Sequence, residues 1–68
     1  MTIIEIRPHP WGWEVFESPG VEPVFDNEKS AIDYAQARAA FRAGAIRVLD
    51  AAGNVINSIP FDETSRRL

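Results

Sequence analysis

The chain has no cysteine among its 68 residues, which excludes disulfides and thiolate-bound zinc as staples for a small fold. Histidine occurs once, at His9 between Pro8 and Pro10. A Ser-His-Asp device would have to use it, and Ser18, Ser30, Ser58 and Ser65 all lack the Gly-x-Ser-x-Gly setting of a nucleophile elbow. His9 reads as a plain turn residue. No apolar run approaches the ~20 residues that span a bilayer. Glu5, Arg7 and Pro8 break up the only apolar N-terminal stretch, so no secretory leader is expected and the default location is cytoplasmic. Gly-x-Gly-x-x-Gly and phosphate-loop patterns are also missing. So is the basic excess of a typical nucleic-acid binder, since the net charge is −3. The charge is uneven: residues 1–33 hold seven acids against Arg7 and Lys29, whereas residues 34–50 hold Arg38, Arg42 and Arg47 against Asp50.

What is present suits one small α+β domain. The hydrophobic content of 46% and charged content of 25% are those of a globular protein. A chain this short buries only ~60% of its unfolded surface, so oligomerisation or very good packing must stabilise it. Residues 2–7 are β-branched and partly alternating, which favours a strand that Pro8-His9-Pro10 should stop. Residues 11–17 predict a second strand, with Trp11, Trp13 and Val15 on one face and Glu14 and Phe16 on the other. Ser18-Pro19-Gly20 marks a turn, and Val24-Phe25 a short third strand. Asp26 or Asn27 is a good N-cap for a helix over 28–43, with Glu28 at the positive end of its dipole and Gly44 as its stop. Residues 45–50 and 55–59 read as a hairpin about Asp50-Ala51-Ala52-Gly53-Asn54, with Gly53 left-handed. The expected order is ββ(β)αββ: an antiparallel sheet of four or five strands with one helix on one face. Residues 1–60 form the domain and 61–68 a flexible tail.

At about 100° per residue, Ala31, Ile32, Ala35, Ala39 and Ala43 form one helix stripe, small enough for close approach to a sheet. Tyr34 and Phe41 fall on another edge, with Arg38 between them. The sheet raises a matching question, because one helix covers one face. Ile3, Phe16, one of Val48 or Leu49, and one of Val55 or Ile56 must then point away from it. Apolar surface of that kind marks interaction sites.

Trp13-x-Val15, Phe25-Asp26, Ala31-Ile32-Asp33-Tyr34-Ala35-x-x-x-Ala39, Gly44-Ala45-x-x-Val48 and Gly53-x-Val55 together give a pattern over residues 3–58. It resembles a family of short bacterial proteins known as domain of unknown function 2188. The chain departs from that family in a second tryptophan, Trp11, a longer turn around Pro19-Gly20, and an arginine-poor hairpin. The resemblance implies the strand–strand–helix–strand–strand order and no activity.

Functional expectations follow. The carboxylate pairs Glu14/Glu17 and Asp62/Glu63 read as solvated acids, because acid–base work needs one member buried with a raised pKa. Asp50-x-x-Gly53-Asn54 lacks the alternating oxygen ligands and distal glutamate of a calcium loop. No catalytic residue, metal, cofactor or small-molecule substrate is expected. The leading reading is a non-catalytic protein-interaction module, a homodimer, using Trp11, Phe16, Tyr34, Arg38 and Phe41, types enriched at interfaces. A second reading is a nucleic-acid accessory protein gripping phosphates with Arg38, Arg42 and Arg47. A third is a small acidic inhibitor of mobile-element type, docking the acids of residues 14–33 on a basic partner.

Overall fold

The computed structural model describes residues 2–40 and 42–61. The element order is β1 (Thr2–His9), β2 (Gly12–Phe16), β3 (Val24–Phe25), α1 (Glu28–Arg38), β4 (Gly44–Leu49) and β5 (Val55–Phe61). One helix lies on a five-stranded sheet of order β3-β2-β1-β4-β5. No helix is long and apolar enough to cross a membrane among the described residues.

The sheet is mixed, which corrects the antiparallel expectation. β1 pairs in parallel with β4, whereas β1–β2, β2–β3 and β4–β5 are antiparallel. The cause is the helix. β3 runs antiparallel to β2 and hence parallel to β1. The crossover through α1 then returns the chain to the end of the sheet where β3 began, so β4 enters parallel to β1. Hairpin patterns at both ends of the sequence conceal this central parallel pair.

Two close backbone approaches require glycine. A Cβ on Gly12 would collide with the carbonyl of Phe25, and one on Gly44 with the carbonyl of Thr2. Gly44 is thus the first residue of β4 rather than the helix stop. The helix itself ends at Arg38, not at 43. Ala39 caps it, the Ala40 N–H turns back to the Ala37 carbonyl, and the Arg42 guanidinium donates to the Arg38 carbonyl through Nε (2.9 Å) and Nη2. A basic side chain thereby satisfies a carbonyl that the helix leaves open. At the other end Asn27 is the cap, extended at φ −147°, with its side-chain oxygen accepting from the Ser30 N–H at 2.8 Å.

Pro8 lies inside β1 instead of ending it. The ladder with β4 runs from Thr2 to Ile6, and past that point β1 pairs only with β2 among the described residues. The missing proline N–H therefore costs no bond on the β4 side. Trp11, expected on a strand face, sits in the β1–β2 turn.

The core lies between α1 and one sheet face. Ile4, Ile6, Val15, Ile46 and Val48 are fully buried against Ala31, Ala35 and Ala39. The alanine stripe faces the sheet as expected, and Trp13 and Val15 point inward with it. Phe61, assigned to the tail by the sequence reading, is buried in this core. It sits opposite Gly44 across the β4–β5 ladder. Residues 62–68, and with them Asp62 and Glu63, lie outside the described residues.

Candidate interaction surface

The helix flank is the first place to look for the arginines. Glu17, just past β2, accepts from Arg38 Nε at 2.8 Å and from Arg42 Nη2 at 3.0 Å. Its side chain is only 13% exposed. The hydrogen bond from Arg38, and then that from Arg42, holds the Glu17 carboxyl below the usual carboxylate range. Both guanidiniums are therefore engaged inside the chain. Arg47 stands apart, exposed on the other face of the sheet. The structure does not bring Arg38, Arg42 and Arg47 into one phosphate grip. Tyr34 is half-buried, its ring 5.3 Å from that of Phe25. The short strand β3 supplies the cover, so Tyr34 belongs to the rim of the core.

The open sheet face is different. Alternation and register place Ile3, Glu5, Arg7 and His9 of β1 there, beside Glu14 and Phe16 of β2, and Ala45, Arg47 and Leu49 of β4. Across the strands Phe16 lies next to Glu5, and Glu5 next to Arg47. Arg7 reaches back along its own strand to Glu5 at 2.6 Å and stacks over the Phe16 ring at 4.2 Å. That stacking orders Phe16 through a cation–π contact. Val55, opposite Leu49 across the β4–β5 irregularity, extends the apolar rim, and Val55 and Ile56 are 53% and 60% exposed. Where β1 leaves β4, an open groove of about 450 Å³ lies between Arg7, Pro8, Leu49 and the Asp50–Gly53 turn. Asp50 builds that turn, accepting from the N–H groups of Ala52 and Asn54, both at 2.9 Å. These bonds, that from Asn54 foremost, hold its carboxyl low. Gly53 is left-handed (φ 89°) as expected.

Comparison with protein-family models, curated proteins and solved structures finds no match.

Two further details shape this surface. Trp11, at the tip of the β1–β2 turn, is 80% exposed. Its backbone N–H donates to His9 Nδ1 at 3.2 Å, and its ring lies 5.5 Å from the imidazole. His9 is thus a turn-holding residue. On the other side Glu14 faces Glu22 of the loop before β3. The shared hydrogen bond, with burial and charge repulsion behind it, keeps the proton on Glu14 to higher pH than usual, and Glu22 is lowered to match. The sequence reading paired Glu14 with Glu17 instead, but Glu14 turns to the open face beside Arg7, whereas Glu17, past the end of β2, meets Arg38 and Arg42 on the helix side.

Of the five interface residues expected, the structure brings them onto three separate places. Phe16 is on the open face, Trp11 is at a turn, and Tyr34 and Arg38 are on the helix side of the sheet. Phe41 lies outside the described residues. Sequence reasoning passed over Glu5 and Arg7, and gave Arg47 only a phosphate-binding role beside Arg38 and Arg42. An i, i+2 spacing of Glu5 and Arg7 on a strand was the available signal, since it puts both charges on one face.

The β5 edge is blunted. By the alternation of the ladder, residues 58 and 60 turn their nitrogens the same way. Pro60 has no N–H, and the Ser58 N–H is taken by the Asn57 side-chain oxygen at 2.9 Å. An incoming strand finds few donors there.

Proposed function

We propose that this chain is a small non-catalytic protein-interaction module that associates with a second copy through the open face of its sheet. The observation that carries the reading is the composition of that face. Ile3, Phe16, Ala45 and Leu49 share it with two acids and two arginines along its middle, with Val55 at its rim. A solvated antiparallel face would be polar, and a core of mixed apolar groups and arginine is the composition of interfaces. The helix-side residues of the expected surface are used internally, as Tyr34 is by Phe25 and Arg38 by Glu17. The blunted β5 edge favours association by faces over edges. A cytoplasmic location and kinship with the domain of unknown function 2188 are consistent with this reading, which rests on neither.

Light scattering across a hundredfold dilution tests it. The expected result is a dimer whose mass halves in the Leu49→Asp variant at unchanged helix content. A wild-type monomer throughout, or a dimer indifferent to Leu49→Asp and Phe16→Asp, would reject it.

The nucleic-acid reading has one favouring observation: Arg47 is exposed and has no ion-pair partner among the described residues. One cation supplies too little for phosphate binding, whose strength scales with the number of charges neutralised.

A further inference from the structure

Resting on that reading, we infer that two copies pack face to face about a two-fold axis running along the boundary between β1 and β4, so that Glu5 of each copy meets Arg47 of the other. The central pair of strands carries the argument. β1 and β4 are parallel and in register, Glu5 beside Arg47 and Ile3 beside Ala45. A two-fold axis along their boundary exchanges them. It sets β1 on the second copy's β4 with both running the same way, and every row of the register stays aligned. Opposite charges then face each other twice, Glu5 against Arg47 and Arg47 against Glu5, and Ile3 packs on Ala45 in the row below.

Each partner has capacity for this. The Arg7 bonds end on one oxygen of Glu5, Oε1, which leaves the other to accept. Arg47 is exposed and pairs with no acid among the described residues. Face-packed sheets are rotated by about 30°, which displaces contacts far from the axis. Glu5 and Arg47 flank the axis in the middle row of the face, where displacement is least. Arg7 meets Leu49 of the second copy with its charge already paired to Glu5. The competing two-fold, perpendicular to the strands, would set β1 on β1 with Glu5 against Arg7. It would also press Arg47 onto Leu49 and Glu14 onto Phe16, burying charges with no partner. A stable dimer needs roughly 800 Å² from each partner, about a fifth of this chain's 4434 Å².

The test is a mixing experiment on the full chain. Glu5→Arg alone leaves two arginines facing two, and Arg47→Glu alone leaves two glutamates facing two. Each variant alone should therefore self-associate about tenfold more weakly. Mixed in equal amounts they should form a heterodimer of near wild-type affinity, seen by native mass spectrometry, because both contacts then join opposite charges. Pairing within one chain cannot produce that recovery. Thermal melts of each variant check that it folds. If the wild type dimerises but the mixture associates no better than its components, the arrangement is wrong while self-association stands. If Glu5→Arg weakens association and Arg47→Glu does not, the perpendicular two-fold replaces it. A monomeric wild type overturns both.

Discussion

Replacing Glu17 with glutamine removes one charge and leaves the shape. In the native chain this carboxylate, 13% exposed, accepts from two guanidiniums at 2.8 and 3.0 Å. Hydrogen bonds to charged groups contribute roughly 1.5–3 kcal/mol when buried, whereas exposed ion pairs contribute roughly 0.2–1 kcal/mol. The arginines are 46% and 36% exposed, so the contribution lies between these ranges, and Glu17→Gln should cost about 1–2 kcal/mol. For a domain of this size each kcal/mol lowers Tm by about 4–8 °C, a loss easily read by circular dichroism in thermal and urea melts. The pH dependence fixes the cause. Glu17 has a folded pKa below its ordinary value of 4.5. Its contribution is thus fully present above pH 4.5 and is lost as pH falls through the folded value. Wild type and variant should differ at pH 7 and converge in acid. A cost below about 0.5 kcal/mol at pH 7, or a difference that persists at pH 2, would refute the reasoning. The same variant releases Arg38 and Arg42, so it should bind heparin more tightly than wild type at low salt.

Three other outcomes are expected. Phe61→Ala should destabilise by about 3–4 kcal/mol in urea melts, because its ring is buried in the core; a surface-like cost would place residue 61 outside the core. Gly44→Ala should prevent folding or cost more than about 3 kcal/mol, since its Cβ has no room beside Thr2, whereas Gly20→Ala meets no neighbour and carries only the strain of its positive φ (90°), roughly 1–2 kcal/mol. Opening the β5 edge with Pro60→Val and Asn57→Ala together should give thioflavin-positive aggregates at concentrations where wild type stays clear; equal clarity would show that the edge needs no protection.

Local chemistry was legible in the sequence where a pattern and its cause lie within a few residues. A cap at Asp26 or Asn27, the stripe Ala31, Ala35 and Ala39, the Asp50–Gly53 turn, and Trp13 with Val15 on one shared face all follow from side-chain period or hydrogen-bonding capacity nearby, whereas which face of β2 turns to the helix does not. What depended on distant partners was hidden. The parallel pairing of β1 with β4 comes from the crossover that α1 makes, not from either strand's own residues. Pro8 is tolerated because β4 has already ended its ladder with β1, and Phe61 joins the core because the β4–β5 register turns it to the side of Ile46 and Val48. Arg38 looked like a surface group until the fold set Glu17, 21 residues earlier, beside it. The candidate surface was half visible: the sequence required Ile3 and Phe16 to point away from the helix. It could not choose between Val48 and Leu49, because that choice is a matter of register.

The measurement that bears most directly on the open face as the working surface is a two-dimensional NMR dilution series. With self-association through this face, the signals that move on dilution should be those of Ile3, Glu5, Phe16, Arg47 and Leu49, with α1 from Lys29 to Arg38 still. Shifts confined to the helix, or none at any concentration, would contradict the account.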